Sequence, residues 1–200
     1  MARYTGPKDR LSRREGFDLF GKGSKLSRLN LKPGVHGPKG SMRAPSQYGR
    51  QLREKQKMKR FYGVLEKQFS RYVNLALNSK GNTGDALFWL LERRLDNVIY
   101  RLGFAKTRPQ ARQLVSHRHV LVNGKRVNIP SYQLVVGDTV SLTATANNVP
   151  AVSKLLADKE PVVPTWLKRK GNIGKVDRII KREDIKEMIN ESDIIEFYSR

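Results

Sequence analysis

The residues best placed to do chemistry are cations at helical spacing. Arg108 and Arg112 lie four apart, just behind Thr107 and on either side of Pro109 and Gln110. Thr107 is a helix N-cap, Pro109 suits a first turn where its missing N–H is harmless, and Gln110 completes a capping box. Both guanidinium groups then stand beside backbone N–H groups that themselves attract phosphate. His117-Arg118-His119 and Lys125-Arg126 follow within 20 residues. The two histidines alternate as on a strand and could suggest a metal pair, but no carboxylate sits nearby in sequence, and phosphate contact explains them equally well. A second set, Arg50, Arg53, Lys55, Lys57, Lys59 and Arg60, faces one acid of its own segment, Glu54, so pairing within one helix cannot absorb it. Arg101 and Arg43 extend these sets, and Arg3 with Tyr4 adds a cation and a ring at the start.

The elements that must position these groups follow from local signals. Ser46 caps a helix running to Tyr62, and Val64, Leu65, Phe69, Tyr72, Val73, Leu75, Ala76 and Leu77 continue with three- and four-residue spacing. Asn78 to Gly84 break the chain before a helix starting near Asp85. Leu91, Leu95, Val98, Ile99 and Leu102 place an apolar stripe on one helix that Gly103 stops, with Arg93, Arg94 and Arg101 on other faces. The Thr107-capped helix buries Ala111, Leu114 and Val115 and leaves Arg108 and Arg112 exposed. His119–Val122 and Lys125–Ile129 then flank Asn123-Gly124, the pair a type I′ hairpin favours, and Leu134–Leu142 adds a third strand signal. Thr107 and Asn123 thus set backbone geometry.

The charge balance narrows the ligand. The chain of 200 residues holds 40 Lys and Arg against 18 Asp and Glu, a formal net charge of +22. A folded chain that keeps such a charge belongs against a polyanion, because neutralising phosphates releases condensed counterions. No apolar run reaches the roughly 18 residues that span a bilayer, and the first residues lack a signal-like apolar core, so a cytoplasmic location is expected. Zero Cys excludes disulfides and thiolate zinc sites, and no phosphate loop or nucleophile elbow occurs. The first 60 residues hold 17 Lys and Arg against 4 acids, more than half the excess. Gly and Pro recur there, so residues 1–44 read as a basic, partly extended arm, with Tyr4, Phe17, Leu19, Phe20, Leu26 and Leu29 as anchors suited to ordering against RNA.

Residues 92–142, through Arg94-Leu95-Asp96-Asn97-Val98, Arg108 to Val115, Ser116-His117-Arg118-His119 and Val122-Asn123-Gly124-Lys125, resemble the small RNA-binding module named after the fourth protein of the small ribosomal subunit. Met1-Ala2-Arg3-Tyr4, Gly34-Val35-His36-Gly37, Tyr48 to Gly63, Pro164-Thr165-Trp166-Leu167 and Glu196-Phe197-Tyr198-Ser199 extend the resemblance to the bacterial family of that ribosomal protein over nearly the whole chain. Some members carry a cysteine zinc cluster in the arm; with no Cys the chain is similar to the zinc-free branch, and no metal or cofactor role carries over. The resemblance implies an α+β fold: arm 1–44, helical domain 45–91 completed by 165–200, inserted RNA-binding module 92–153 of two helices and a hairpin, and a connecting crossing 154–164. It implies a structural constituent of the small subunit that binds ribosomal RNA early, at a helix junction in the 5′ domain, and nucleates assembly of the subunit body. It also implies contact with small-subunit protein five and with messenger RNA where it enters, and a part in translational accuracy.

Two other classes compete. The same module occurs in pseudouridine synthases, whose catalytic Asp lies in an Arg-Leu-Asp motif that Arg94-Leu95-Asp96 spells. Asp96 falls inside a helix, where a solvent-facing or helix-pairing acid is expected, and the residues after Leu142 are too few for a catalytic β domain. A general RNA chaperone would need only residues 92–142, leaving the arm, the helical block and the Trp166 segment unexplained. Leu155, Leu156, Trp166, Leu167, Ile179, Ile180, Ile185 and Ile189 read as core, and Asp177–Ile195 as a charged helix.

Overall fold

The computed structural model describes residues 4–23, 26, 28–37, 44–157, 162–185 and 189–199. The fold is α+β, and the chain divides into two units, Met1–Gly84 with Glu187–Arg200, and Asp85–Lys186 inserted between them.

In the first unit α1 (Lys8–Glu15), α2 (Gln47–Phe61), α3 (Glu66–Leu77) and α9 (Glu191–Tyr198) supply the framework. Ser46 caps α2 by accepting from Gly49 N at 3.2 Å. The four-residue rhythm of α2 buries Gln51, Lys55, Met58 and Phe61, and α3 buries Phe69, Tyr72, Val73 and Ala76. α9 packs along α2. The arm anchors Leu19 and Leu26 are buried in protein, and Phe17 sits 6.2 Å from the Phe61 ring. Apolar packing within the protein therefore holds these three anchors, while Tyr4 is exposed.

In the second unit α4 (Thr83–Glu92, whose first two residues belong to the first unit) precedes α5 (Leu95–Arg101) and α6 (Arg108–Ser116), followed by β1 (Val120–Val122), β2 (Lys125–Arg126), β3 (Thr139–Leu142), α7 (Ala144–Asn147), α8 (Pro150–Leu156), β4 (Leu167–Lys170) and β5 (Ile173–Val176). The stripe read as one helix through Leu102 is two. Arg94 is extended and bridges Gln133, while Leu95 N and Asp96 N donate to Tyr132 O and Pro130 O at 2.9 and 3.1 Å. Backbone donors satisfied by the 130–134 loop cannot continue the α4 ladder. Gly103, at φ 72°, follows α5 in a conformation that L side chains avoid.

The strands form one antiparallel sheet in the order β2-β1-β3-β5-β4. Opposed partners place Arg126, Leu121, Ser141, Ile173 and Lys170 in one row, and Thr139, Lys175 and Lys168 in a second row on the same face. The other face carries the buried Val120, Val122, Val140, Leu142, Leu167 and Val176. There a Cβ on Gly174 would overlap the side chain of Leu102, the residue that ends α5. This sheet corrects the expectation that residues 165–200 return as one block to the helical domain: β4 and β5 pair with β3, and only the chain from Glu187 belongs to the first unit. The continuous helix expected over 177–195 is also replaced, among the described residues, by a 3₁₀ turn (Arg182–Asp184) and α9. Asp184 explains part of this, since its carboxylate accepts from Arg178, Thr165 Oγ1 and Lys181 N and locks a local turn. Trp166, Leu167, Ile180, Ile185 and Ile189 are buried; Ile179 is exposed, and Leu155 and Leu156 are half-buried.

Candidate nucleic-acid interface

The helical part of the site rests on a cap and a set of buried acids. Thr107, extended at φ −142°, accepts from Gln110 N at 3.4 Å, and Gln110 Oε1 accepts from Lys106 N at 3.0 Å. This reciprocal cap starts α6 at Arg108. Arg108 and Arg112 are half-buried rather than fully exposed, because acids and amides beneath them hold their guanidinium groups. Glu92, fully buried, accepts from Arg101 Nε at 3.0 Å and Nη2 at 2.6 Å, and from Asn97 Nδ2 at 2.6 Å. Asn97 Oδ1 accepts from Arg108 Nε at 2.9 Å, and that guanidinium lies 4.4 Å from the Tyr100 ring centre. Asp96 is buried, not solvent-facing, and accepts from Arg94 Nη2 at 2.8 Å and Arg112 Nη1 at 3.4 Å. A carboxylate engaged by two arginines is a support for cations and a poor nucleophile. Three arginines of α5 and α6 are thus oriented before any ligand arrives, which lowers the entropy lost on binding.

The hairpin part is built differently. Asn123 and Gly124 both have positive φ, 49° and 79°, as a type I′ turn requires. The Asn123 side chain donates to Asp138 Oδ1 at 2.8 Å and accepts from Thr139 N at 2.9 Å, tying the turn to β3. Lys125 and Arg126 are exposed just past this turn, with no side-chain partner among the described residues. Arg118, at φ 62°, and His117 are exposed where α6 ends; His119 is half-buried, its ring 6.2 Å from that of His117. Among the described residues no group of three His, Cys, Asp or Glu could hold a metal ion, and no helix is long and apolar enough to cross a membrane.

The α2 cations lie in the other unit, and most are occupied. Glu15 of α1 takes Arg60 and, at 3.2 Å, Arg53. Glu66 of α3 takes Lys55 at 2.7 Å and Lys59 at 2.8 Å, Glu54 takes Lys57 at 3.3 Å, and Asp193 of α9 reaches Arg50 at 3.5 Å. Acids from other elements absorb what Glu54 alone could not, so availability is less than the helix sequence implies. Lys55 is buried, 4.5 Å from the Phe197 ring centre. Burial opposes ionisation of Glu66, but hydrogen bonds from Lys55, Lys59 and Tyr198 outweigh it and hold its carboxyl down to about 2. Burial pushes the Glu15 carboxyl up, with Arg53, Arg60 and Arg14 pulling it back. Arg50 keeps a side chain 62% exposed. Tyr4 is exposed, its hydroxyl 3.4 Å from Pro7 O, and Arg3 and Arg43 lie outside the described residues.

Sequence reasoning missed Glu92 and Asn97 as supports, since Glu92 meets Arg101 nine residues on, across a helix break. It also missed Lys168, Lys170 and Lys175, exposed on β4 and β5. Their alternation is visible, but the strands they occupy read as part of another domain.

Comparison with known proteins adds the identity of these parts. The family profile described as "Ribosomal protein S4/S9 N-terminal domain" matches residues 3–92, and that of the "S4 domain" matches residues 93–140. The chain is 50% identical over 208 residues to "Small ribosomal subunit protein uS4" of Cupriavidus taiwanensis, covering 100% of each chain. The uS4 proteins of Dictyoglomus turgidum and Akkermansia muciniphila are 50% and 48% identical over 209 and 203 residues, again covering 100% of each chain.

Proposed function

The chain belongs to the small ribosomal subunit protein uS4 family, and from that premise we propose that it is a primary binder of small-subunit ribosomal RNA, docking at a helix junction of the 5′ domain and nucleating assembly of the subunit body. The family is a structural one and not enzymatic, and its members work in the cytoplasm as part of the ribosome. The observation that carries the RNA reading is the buried layer of Glu92, Asp96 and Asn97, which holds Arg101, Arg108 and Arg112 in place on α5 and α6 within the S4 domain.

Fixed cations read the positions of phosphates and so recognise RNA by shape, while His117 and His119 supply groups able to touch sugars and splayed bases. Arg118, Lys125 and Arg126 add exposed charge. In the first unit Arg50 is the most available cation of α2, and Lys55 works through packing rather than by touching RNA. Contact with small-subunit protein five and with messenger RNA where it enters, and an influence on translational accuracy, belong to the same reading of the chain, which family membership supports. The test is filter binding of the full chain to the 5′ domain of small-subunit ribosomal RNA, with transfer RNA as competitor, across a salt series. Tight binding that survives the competitor at high salt is expected. Equal, salt-erased binding to both RNAs would reduce the protein to a generic polyanion binder.

A further inference from the structure

The sheet face turned away from Leu102 has no part in the interface described above, apart from Arg126 at its edge. Its two rows hold four cations, Arg126, Lys168, Lys170 and Lys175, and no acid. Lys168 stands directly opposite Lys175 across the β4–β5 pair, and like charges so placed destabilise a sheet. Asp177 relieves Lys168 at 2.9 Å from outside the rows, yet the Lys168 side chain stays 70% exposed. Lys170 and Lys175 are exposed and have no side-chain partner among the described residues. Between the two cations of the first row lie Leu121, Ser141 and Ile173, the last 49% exposed, on strands about 4.8 Å apart, so the strip runs roughly 19 Å from β2 to β4.

We propose that this sheet face is a second RNA-binding surface, taking a phosphate backbone distinct from the one held by α5 and α6, so that the inserted unit bridges two RNA segments. The proposal rests on the reading of the α5–α6 face as an RNA interface. Charge complementarity selects the occupant. A strip of four cations in which one acid, Asp177, meets only Lys168 and leaves Lys170, Lys175 and Arg126 unpaired among the described residues is stabilised by a polyanion, and the hydroxyl of Ser141 beside exposed Ile173 suits a sugar and its neighbouring phosphate. Because α5 packs through Leu102 against the opposite face of this sheet at Gly174, one unit then engages two backbones, as a junction requires of its binder.

The test compares the full chain carrying Lys168→Gln, Lys170→Gln and Lys175→Gln with the wild type and with Arg108→Ala plus Arg112→Ala, by filter binding to the 5′ domain RNA and by hydroxyl-radical footprinting of the complexes. The triple variant should flatten the dependence of log affinity on log salt by up to about three units, roughly one per lysine, and lose protections that the Arg108/Arg112 variant retains. If the triple variant matches the wild type in slope and footprint while the Arg108/Arg112 variant binds poorly, this proposal is overturned and the RNA reading of α5 and α6 stands. If both variants bind as wild type, the α5–α6 reading fails and this proposal falls with it. Lys175→Gln alone should raise the melting temperature of the free protein at low salt by relieving the lysine pair; a fall would remove the repulsion argument.

Discussion

The cations of α2 and those around the Asn123-Gly124 turn are alike in sequence and unlike in the folded chain. On α2, Glu15, Glu54, Glu66 and Asp193 engage Arg50, Arg53, Lys55, Lys57, Lys59 and Arg60. At the hairpin, Lys125 and Arg126 meet no acid among the described residues. The arginines of α5 and α6 are intermediate, held from beneath by buried acids and half-open above. The same kind of side chain is therefore tied into the fold in one place, left open to a ligand in another, and in the third is both supported and half-open. What separates the cases is whether acids distant in sequence are brought to the cation.

The sharpest way to break this comparison is to remove the support. Glu92→Ala leaves Arg101 and Asn97 without their carboxylate in a buried site, so urea unfolding should show a loss of about 3–5 kcal/mol; a loss below about 1 kcal/mol would mean that the layer holds nothing. Next in size, Arg108→Ala with Arg112→Ala removes two charge-assisted contacts of about 1.5 kcal/mol each, roughly a hundredfold in RNA affinity. Arg10→Ala with Arg14→Ala in the arm should weaken binding by less. The hairpin pair separates binding from folding: Lys125→Ala with Arg126→Ala should lower the salt slope by about two units, yet shift stability by no more than about 0.5 kcal/mol.

The smallest effect is on pH. The Glu66 carboxyl is held to about 2 against an ordinary 4.5. Its contribution to stability is therefore fully present above about 4.5 and is lost as pH falls towards 2. Wild type and Glu66→Gln should differ by a constant amount in urea midpoint above pH 4.5 and converge near pH 2. A difference that widens on acidification would reverse the assignment.

The site was legible where its signals are local. Thr107, Pro109 and Gln110 announce the start of α6, and Asn123-Gly124 announces a turn whose two positive φ angles few other pairs adopt. The break at Arg93-Arg94 was not legible, because the donors that end α4 find their acceptors near residue 132. Nor was the membership of β4 and β5 in the sheet, since strand pairing across the 30 residues from β3 leaves no short-range mark.

By itself, then, the sequence determined the net charge of +22, the caps, the hairpin turn and the apolar faces of α2, α3 and α6. These follow from steric and hydrogen-bonding preferences within a few residues. Only the tertiary structure decided which cations are neutralised, that Asp96 and Glu92 lie buried beneath arginines, and that three lysines share one open sheet face. A charge pair or a strand register is a contact between distant parts of the chain, and its energy exists only once packing has brought them together.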